Sequence, residues 1–167
     1  IVMQRDLGGV PLTSAQLNLV SAAAVSACDS SLTGQHDGFV NDPASCRYDP
    51  TRDATVLCTA SGGSNGTAAC LTTAQAQAVN KMWYGETTDG SAASPAVANG
   101  YSDTLQANQL WFGFPRGSSL DTFAAASANG VGVANGLTAT PVALELQSPS
   151  IAAPAFTNAT GNVQNGW

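Results

Sequence analysis

Four cysteines, Cys28, Cys46, Cys58 and Cys70, fall in the first half of a 167-residue chain that has a single histidine, His36. Their count is even, no two form a C-x-x-C pair, and one imidazole is too few for the usual zinc sets. Disulfides are the better reading, in any of three connectivities. They imply an oxidising compartment, so a secreted or periplasmic protein is expected.

Cross-links of this kind suit the composition. Hydrophobic residues make up 44% of the chain and charged residues only 10%, against about a quarter charged in ordinary globular proteins. The polar surface must therefore come from Ser, Thr, Asn, Gln and Gly. The cationic side chains are Arg5, Arg47, Arg52, Lys81 and Arg116, and the net charge is −6. That balance argues against nucleic acid or an anionic membrane as partner. No apolar run reaches the length of a transmembrane helix. Ile1 is not followed by a basic and then apolar leader, so no signal peptide is expected here: either one was removed, or the chain is an internal piece of something longer. Asn65-Gly66-Thr67 and Asn158-Ala159-Thr160 are N-glycosylation sequons, relevant only to a eukaryotic source.

Local signals divide the chain. Residues 1–12 form an arm broken by Gly8-Gly9 and Pro11. Thr13 followed three residues later by Gln16 is a capping box. Leu17, Val20, Ala24, Val25 and Cys28 then recur at helical spacing, which predicts a helix from Ser14 to Cys28. Ser21 falls within the stripe, where its hydroxyl can bond back to a carbonyl one turn earlier. Residues 29–53 are loop. A second capping box, Thr72 to Gln75, opens a helix that buries Val79, Met82 and Trp83 and stops at Gly85. Trp83 and Tyr84 belong to the core. Beyond residue 86, Pro, Gly, Ser and Asn dominate, with turn pairs at Asn99-Gly100, Asn129-Gly130 and Asn135-Gly136. Val131 and Val133 sit between two of these pairs, and Val142, Leu144 and Leu146 alternate as in a short half-buried strand. The expected fold is a single small α+β domain, rich in loops, with two or more helices, short antiparallel strands and two disulfides. Residues 13–85 form its helical half and residues 86–167 its loop and short-strand half.

Several rare elements recur in a fixed order. Cys28-Asp29 ends the first helix, and Thr33-Gly34-Gln35-His36-Asp37-Gly38-Phe39-Val40 follows. Then come Asn41-Asp42-Pro43, Cys46-Arg47-Tyr48-Asp49-Pro50, Val56-Leu57-Cys58, Cys70-Leu71-Thr72-Thr73-Ala74-Gln75 and Lys81-Met82-Trp83-Tyr84-Gly85. This string resembles the lid insertion of the tannase and feruloyl esterase family, over roughly residues 10–85. The family pattern is C-D-x-x-D-G-x-x-D-G, D-P-x-x-C-x-[FY]-D-P, L-C, C-L-T-x-x-Q and Y-x-G. The chain departs from the last element, having Tyr84 directly before Gly85. Later residues match more loosely, through Leu110-Trp111-Phe112-Gly113, Val142-Ala143-Leu144 and the tail ending in Trp167.

The resemblance implies a lid over an aromatic-ester cleft, inserted in an α/β-hydrolase core after the nucleophilic Ser and before the catalytic Asp and His, neither flank being present here. It pairs Cys28 with Cys46 and Cys58 with Cys70. It also implies a calcium loop: Asp29 and Asp37 match the outer acidic positions, with one residue inserted between them. Thr33 replaces the middle acid, and the carbonyls of Gln35 and Phe39 match main-chain ligands. Calcium takes six to eight oxygen ligands, which such a Gly-containing turn can gather. The alternative is an Asx-turn loop without metal.

The residues themselves offer two further candidates. Gly62-Gly63-Ser64-Asn65-Gly66 fits the nucleophile-elbow pattern G-x-S-x-G, but no long strand precedes it, Cys70 and a second cap delay the helix, and no His follows. It reads as a loop, and His36 as a solvated loop residue. Trp111, Phe112, Phe114 and Arg116 form the densest aromatic and cationic cluster. Facing a substrate, the rings would stack on an aromatic acyl group and the guanidinium would grip a carboxylate; otherwise Trp111 and Phe112 pack within the domain or at its seam with a catalytic partner. The function expected is a lid of a carboxylic-ester hydrolase, inactive alone. The alternative is a free-standing secreted binding module, and proteolysis of a larger enzyme is a third origin.

Overall fold

The computed structural model describes Val2 and residues 6–8, 10–29, 36–95 and 105–121. Helix α1 is Ser14–Cys28 and helix α2 is Thr73–Tyr84, each opened by the expected capping box. At α1, Thr13 Oγ1 accepts from Gln16 N at 3.2 Å while Gln16 Oε1 accepts from Thr13 N at 2.9 Å. At α2, Thr72 Oγ1 accepts from Gln75 N at 3.2 Å and Gln75 Oε1 from Thr72 N at 2.8 Å. These bonds satisfy amide groups that a helix start leaves without a partner. Gly85 caps α2 with φ 81°.

The two capping boxes touch. Gln16 Nε2 donates to Cys70 O at 2.9 Å and to Gln75 Oε1 at 3.3 Å. One amide thus caps α1, holds the carbonyl two residues before α2's cap and steadies the glutamine that caps α2.

Both disulfides form as the resemblance implied. Cys28–Cys46 links the end of α1 to the following loop, and Cys58–Cys70 closes a second loop before α2. Sequence separations of 18 and 12 residues correspond to roughly 3 kcal/mol each in loop-entropy terms. Short 3-10 turns carry the chain at Pro50–Arg52, between the disulfides, and at Thr59–Ser61, inside the second one. Asp49 caps the first turn through Thr51 N at 2.9 Å and also accepts from Asn80 Nδ2 of α2 at 2.7 Å. Tyr84 OH donates to Tyr48 O at 2.6 Å. The Asp49-Pro50 turn is therefore bolted to α2.

The core gathers Leu12, Leu17, Val20, Ala24, Leu57, Leu71, Ala76, Val79, Trp83 and Tyr84, with Leu120 from the far end. Leu12 belongs to the expected arm, so the arm's last residues are core. Ser21 departs from expectation. Its hydroxyl donates to Ser118 O at 3.3 Å rather than back into its own helix, because residues 117–120 pack over α1, with Gly117 against Val25 and Val40.

The antiparallel strands expected do not occur among the described residues. Pairing there is limited to isolated bridges, Leu57 with Leu71 and Cys58 with Asn65 parallel, Glu86 with Ala92 and Thr87 with Gln109 antiparallel. The tight turn through Asp89 and Gly90 gives Thr87 hydrogen bonds from within the turn. The strand expected at 142–146 and the turn pairs at 99–100, 129–130 and 135–136 lie outside the described residues.

Gln16→Ala should lower the unfolding free energy by about 2 kcal/mol and Gln75→Ala by about 1 kcal/mol. The double variant should lose less than the sum, since the two side chains share a bond. Denaturant unfolding of the four proteins measures this; strict additivity would show that the two helix starts are independent.

Candidate functional site

The acidic loop begins where α1 ends. Asp29 caps α1, its N–H donating to Val25 O at 2.7 Å. Its side chain is only 5% exposed. Asp29 Oδ1 accepts from Asp37 N at 3.1 Å and Oδ2 from Gly38 N at 2.8 Å. The loop folds back so that its far end amides face this buried carboxylate. Gly38, with φ 80°, takes the left-handed conformation this return needs. Asp37 Oδ2 accepts from Asn41 Nδ2 at 3.0 Å. Asp29 and Asp37, which the resemblance placed eight residues apart in one ligand set, are thus joined through a main-chain bond.

The expected calcium ligands divide accordingly. Asp29, Asp37 and Phe39 are described; Thr33 and Gln35 lie outside the described residues. Each Asp29 oxygen accepts one amide bond and keeps a second lone pair, the kind of oxygen donor a hard cation would need. Among the described residues no three His, Cys, Asp or Glu side chains converge. Phe39 is exposed.

His36 is a surface residue, 79% exposed, with Nδ1 3.8 Å from Asp29 Oδ2. The acid beside it is Asp29, not the adjacent Asp37. Ser64, of the G-x-S-x-G pattern, donates its hydroxyl to Ala54 O at 3.0 Å. That bond pins the loop and involves no base.

The aromatic cluster splits in two. Leu110 and Phe112 are 58% and 51% exposed. Trp111 is half-buried and meets Phe114 edge-to-face at 5.4 Å, while Phe114 rests on the core. Arg116 goes the other way. It is 1% exposed, with its guanidinium 4.6 Å over the Tyr84 ring. Its NH1 donates to Trp83 O at 3.2 Å and its NH2 to Pro43 O. Burial pulls its pKa below the ordinary value, and Tyr84 works against that pull. Burial pushes the Tyr84 phenol up to about 12, with Arg116 drawing it back. The guanidinium is a strut inside this chain; it does not reach the surface that Leu110 and Phe112 form.

Around it, three consecutive carbonyls at the end of α2 find donors from one distant segment. Met82 O accepts from Phe114 N at 2.8 Å, Trp83 O from Arg116, and Tyr84 O from Gln109 Nε2 at 2.7 Å. The segments cross at Gly85 and Gly113. A Cβ on Gly85 would lie 1.7 Å from Trp111 O, and one on Gly113 2.4 Å from Trp83 O. Sequence reasoning missed Gln109, Asn80 and the double role of Gln16, since polar residues so far apart leave no periodic signal. Asp53, three residues beyond the second motif, is structural too. Tyr48 OH donates to Asp53 Oδ2 at 2.8 Å. Burial, with Asp53 beside it, pushes the Tyr48 phenol up. Burial also raises Asp53, but hydrogen bonds from Thr55 and Tyr48 outweigh it and leave the carboxyl below its usual range.

Arg116→Lys should destabilise the protein by about 3 kcal/mol, because one ammonium cannot serve both carbonyls and stack on Tyr84. Arg52→Lys, at an exposed guanidinium, should change stability by less than about 0.5 kcal/mol. Equal denaturation midpoints for the two variants would remove the strut from the account.

No helix among the described residues is long and apolar enough to cross a membrane. No curated protein and no solved structure gave a significant match to the chain. The family model described as tannase and feruloyl esterase matches residues 2–149. That span holds both disulfides, the acidic loop, both capped helices and the aromatic cluster, so the chain belongs to the tannase and feruloyl esterase family.

Proposed function

We propose that this chain is the lid of a secreted carboxylic-ester hydrolase, seated over a cleft that an α/β-hydrolase core completes. The family match supports an ester-hydrolase context. The observation that carries the lid reading is how the chain uses its few reactive groups. Its single imidazole, His36, sits by Asp29 at the acidic loop, and Ser64 donates to a main-chain carbonyl. A Ser-based hydrolase needs a hydroxyl, an imidazole and an acid acting as one unit. The core of the parent enzyme would supply them.

Leu110 and Phe112, with Trp111 and Phe114 behind them, are the surface we assign to the aromatic ester. Exposed apolar side chains in sequence on one short segment suit a covering face better than a free-standing module. The lid would exclude water and hold the acyl ring. Arg116 supports this surface from beneath by fixing Pro43 and the end of α2. Two disulfides favour a secreted or periplasmic setting.

In the parent enzyme, Phe112→Ala should raise KM for feruloyl or galloyl esters about fivefold, with little effect on p-nitrophenyl acetate. The isolated chain should not hydrolyse p-nitrophenyl esters. Turnover by the isolated chain that disappears in Ser64→Ala would defeat the reading.

We also propose calcium at Asp29, Asp37 and the carbonyl of Phe39, with Thr33 and Gln35 completing the set. The ion would neutralise the buried Asp29 carboxylate and fix the loop. At a hundredfold excess over its Kd, calcium should add about 2.7 kcal/mol of stability, and Asp29→Asn should abolish the gain. A Tm indifferent to calcium and chelator would dismiss the metal.

A further inference from the structure

The loop closed by Cys58–Cys70 contributes nothing to the acidic loop or the aromatic surface, yet it is tightly organised. Ser64 and Asn65 dock it on the preceding turn, through Ser64 Oγ to Ala54 O at 3.0 Å and Asn65 Nδ2 to Thr55 O at 2.9 Å. Asn65 Oδ1 accepts two bonds from the same residue, the Thr67 main-chain N–H at 2.9 Å and the Thr67 hydroxyl at 2.8 Å. Thr67 and Gly66 are exposed, as are Ser64 and Ala68. A Cβ added at Gly66 would meet no atom within 4 Å. The Asn-Gly-Thr triplet thus has its carboxamide and hydroxyl side by side, with Gly66 and Thr67 exposed and the space beside Gly66 open.

We propose that Asn65 is an N-glycan acceptor when the chain passes through a eukaryotic secretory pathway. The co-reactant is an oligosaccharide linked through pyrophosphate to a polyisoprenyl lipid. A bond forms between Asn65 Nδ2 and the sugar's anomeric carbon, and the bond from that carbon to the pyrophosphate oxygen breaks. Nδ2 gives up one proton to a base of the transferase, and the lipid pyrophosphate leaves. A carboxamide nitrogen has two hydrogens, so the product retains one N–H for Thr55 O. Asn65 can carry the sugar without giving up the bond that docks the loop.

Two further observations support the site. The disulfide that closes the loop forms in the oxidising compartment where such transfer operates. Charged residues are only 10% of the chain, far below the usual share, and a bulky hydrophilic glycan supplies solvation that charge does not.

The test uses the full-length protein secreted from a yeast host. Trypsin cleavage after Arg52 and Lys81 releases residues 53–81 as one peptide, carrying the sequon, Cys58 and Cys70. Peptide N-glycosidase in heavy-oxygen water should convert Asn65 to labelled Asp in this peptide. The label should persist in Thr67→Ser and be lost in Thr67→Ala. Unlabelled peptide from secreted protein with Cys58–Cys70 intact would overturn the proposal. So would equal labelling without the glycosidase, which marks spontaneous deamidation at Asn65-Gly66.

Discussion

A helix that ends inside a protein must find donors for its last carbonyls, and α2 finds them thirty residues away. Phe114, Arg116 and Gln109 serve Met82, Trp83 and Tyr84 in turn. An unserved buried carbonyl costs about 1–3 kcal/mol, so the segment from 109 to 116 is fixed by α2 as firmly as α2 is finished by it. Glycine is required at both crossing points, because Gly85 and Gly113 carry backbone against backbone. Leu110 and Phe112 are exposed as a consequence. Alternate residues of a segment whose other groups are committed inward have only solvent, or another protein surface, to face.

Charge is scarce in this chain and is spent on geometry. Asp29 gathers the acidic loop through two main-chain amides. Asp49 joins a turn to α2 through Thr51 and Asn80, and Asp53 holds Thr55 and Tyr48. Each carboxylate draws hydrogen bonds from groups distant in sequence or orders its own turn. Arg116 does the same with opposite sign, stacked over the Tyr84 ring. With two disulfides, this network fixes a domain with little sheet among its described residues. A lid would need that quality, because a covering surface is useful only if its apolar residues hold their positions.

The family context and the proposed glycan place different demands on different faces. Under the proposed function, Phe112 and its neighbours would meet a catalytic core or an acyl ring. Asn65 and Thr67 need open solvent. They lie on separate loops, one held by the end of α2 and the other by Cys58–Cys70, so occupying one need not disturb the other.

Much of the helical half was legible from local pattern. Thr13 with Gln16 and Thr72 with Gln75 marked both helix starts, Leu17, Val20 and Ala24 marked the buried stripe, and Gly85 marked the stop. Such signals act over three or four residues, so the sequence alone determined them. The motif order added the disulfide pairing, which spacing by itself left open. Only the tertiary structure decided that Arg116 is buried, that Ser21 reaches Ser118, and that Gln16 binds the second capping box. Each of those outcomes depends on which donor reaches which carbonyl across a long loop, and the free energy that selects it exists only after the chain has folded back on itself.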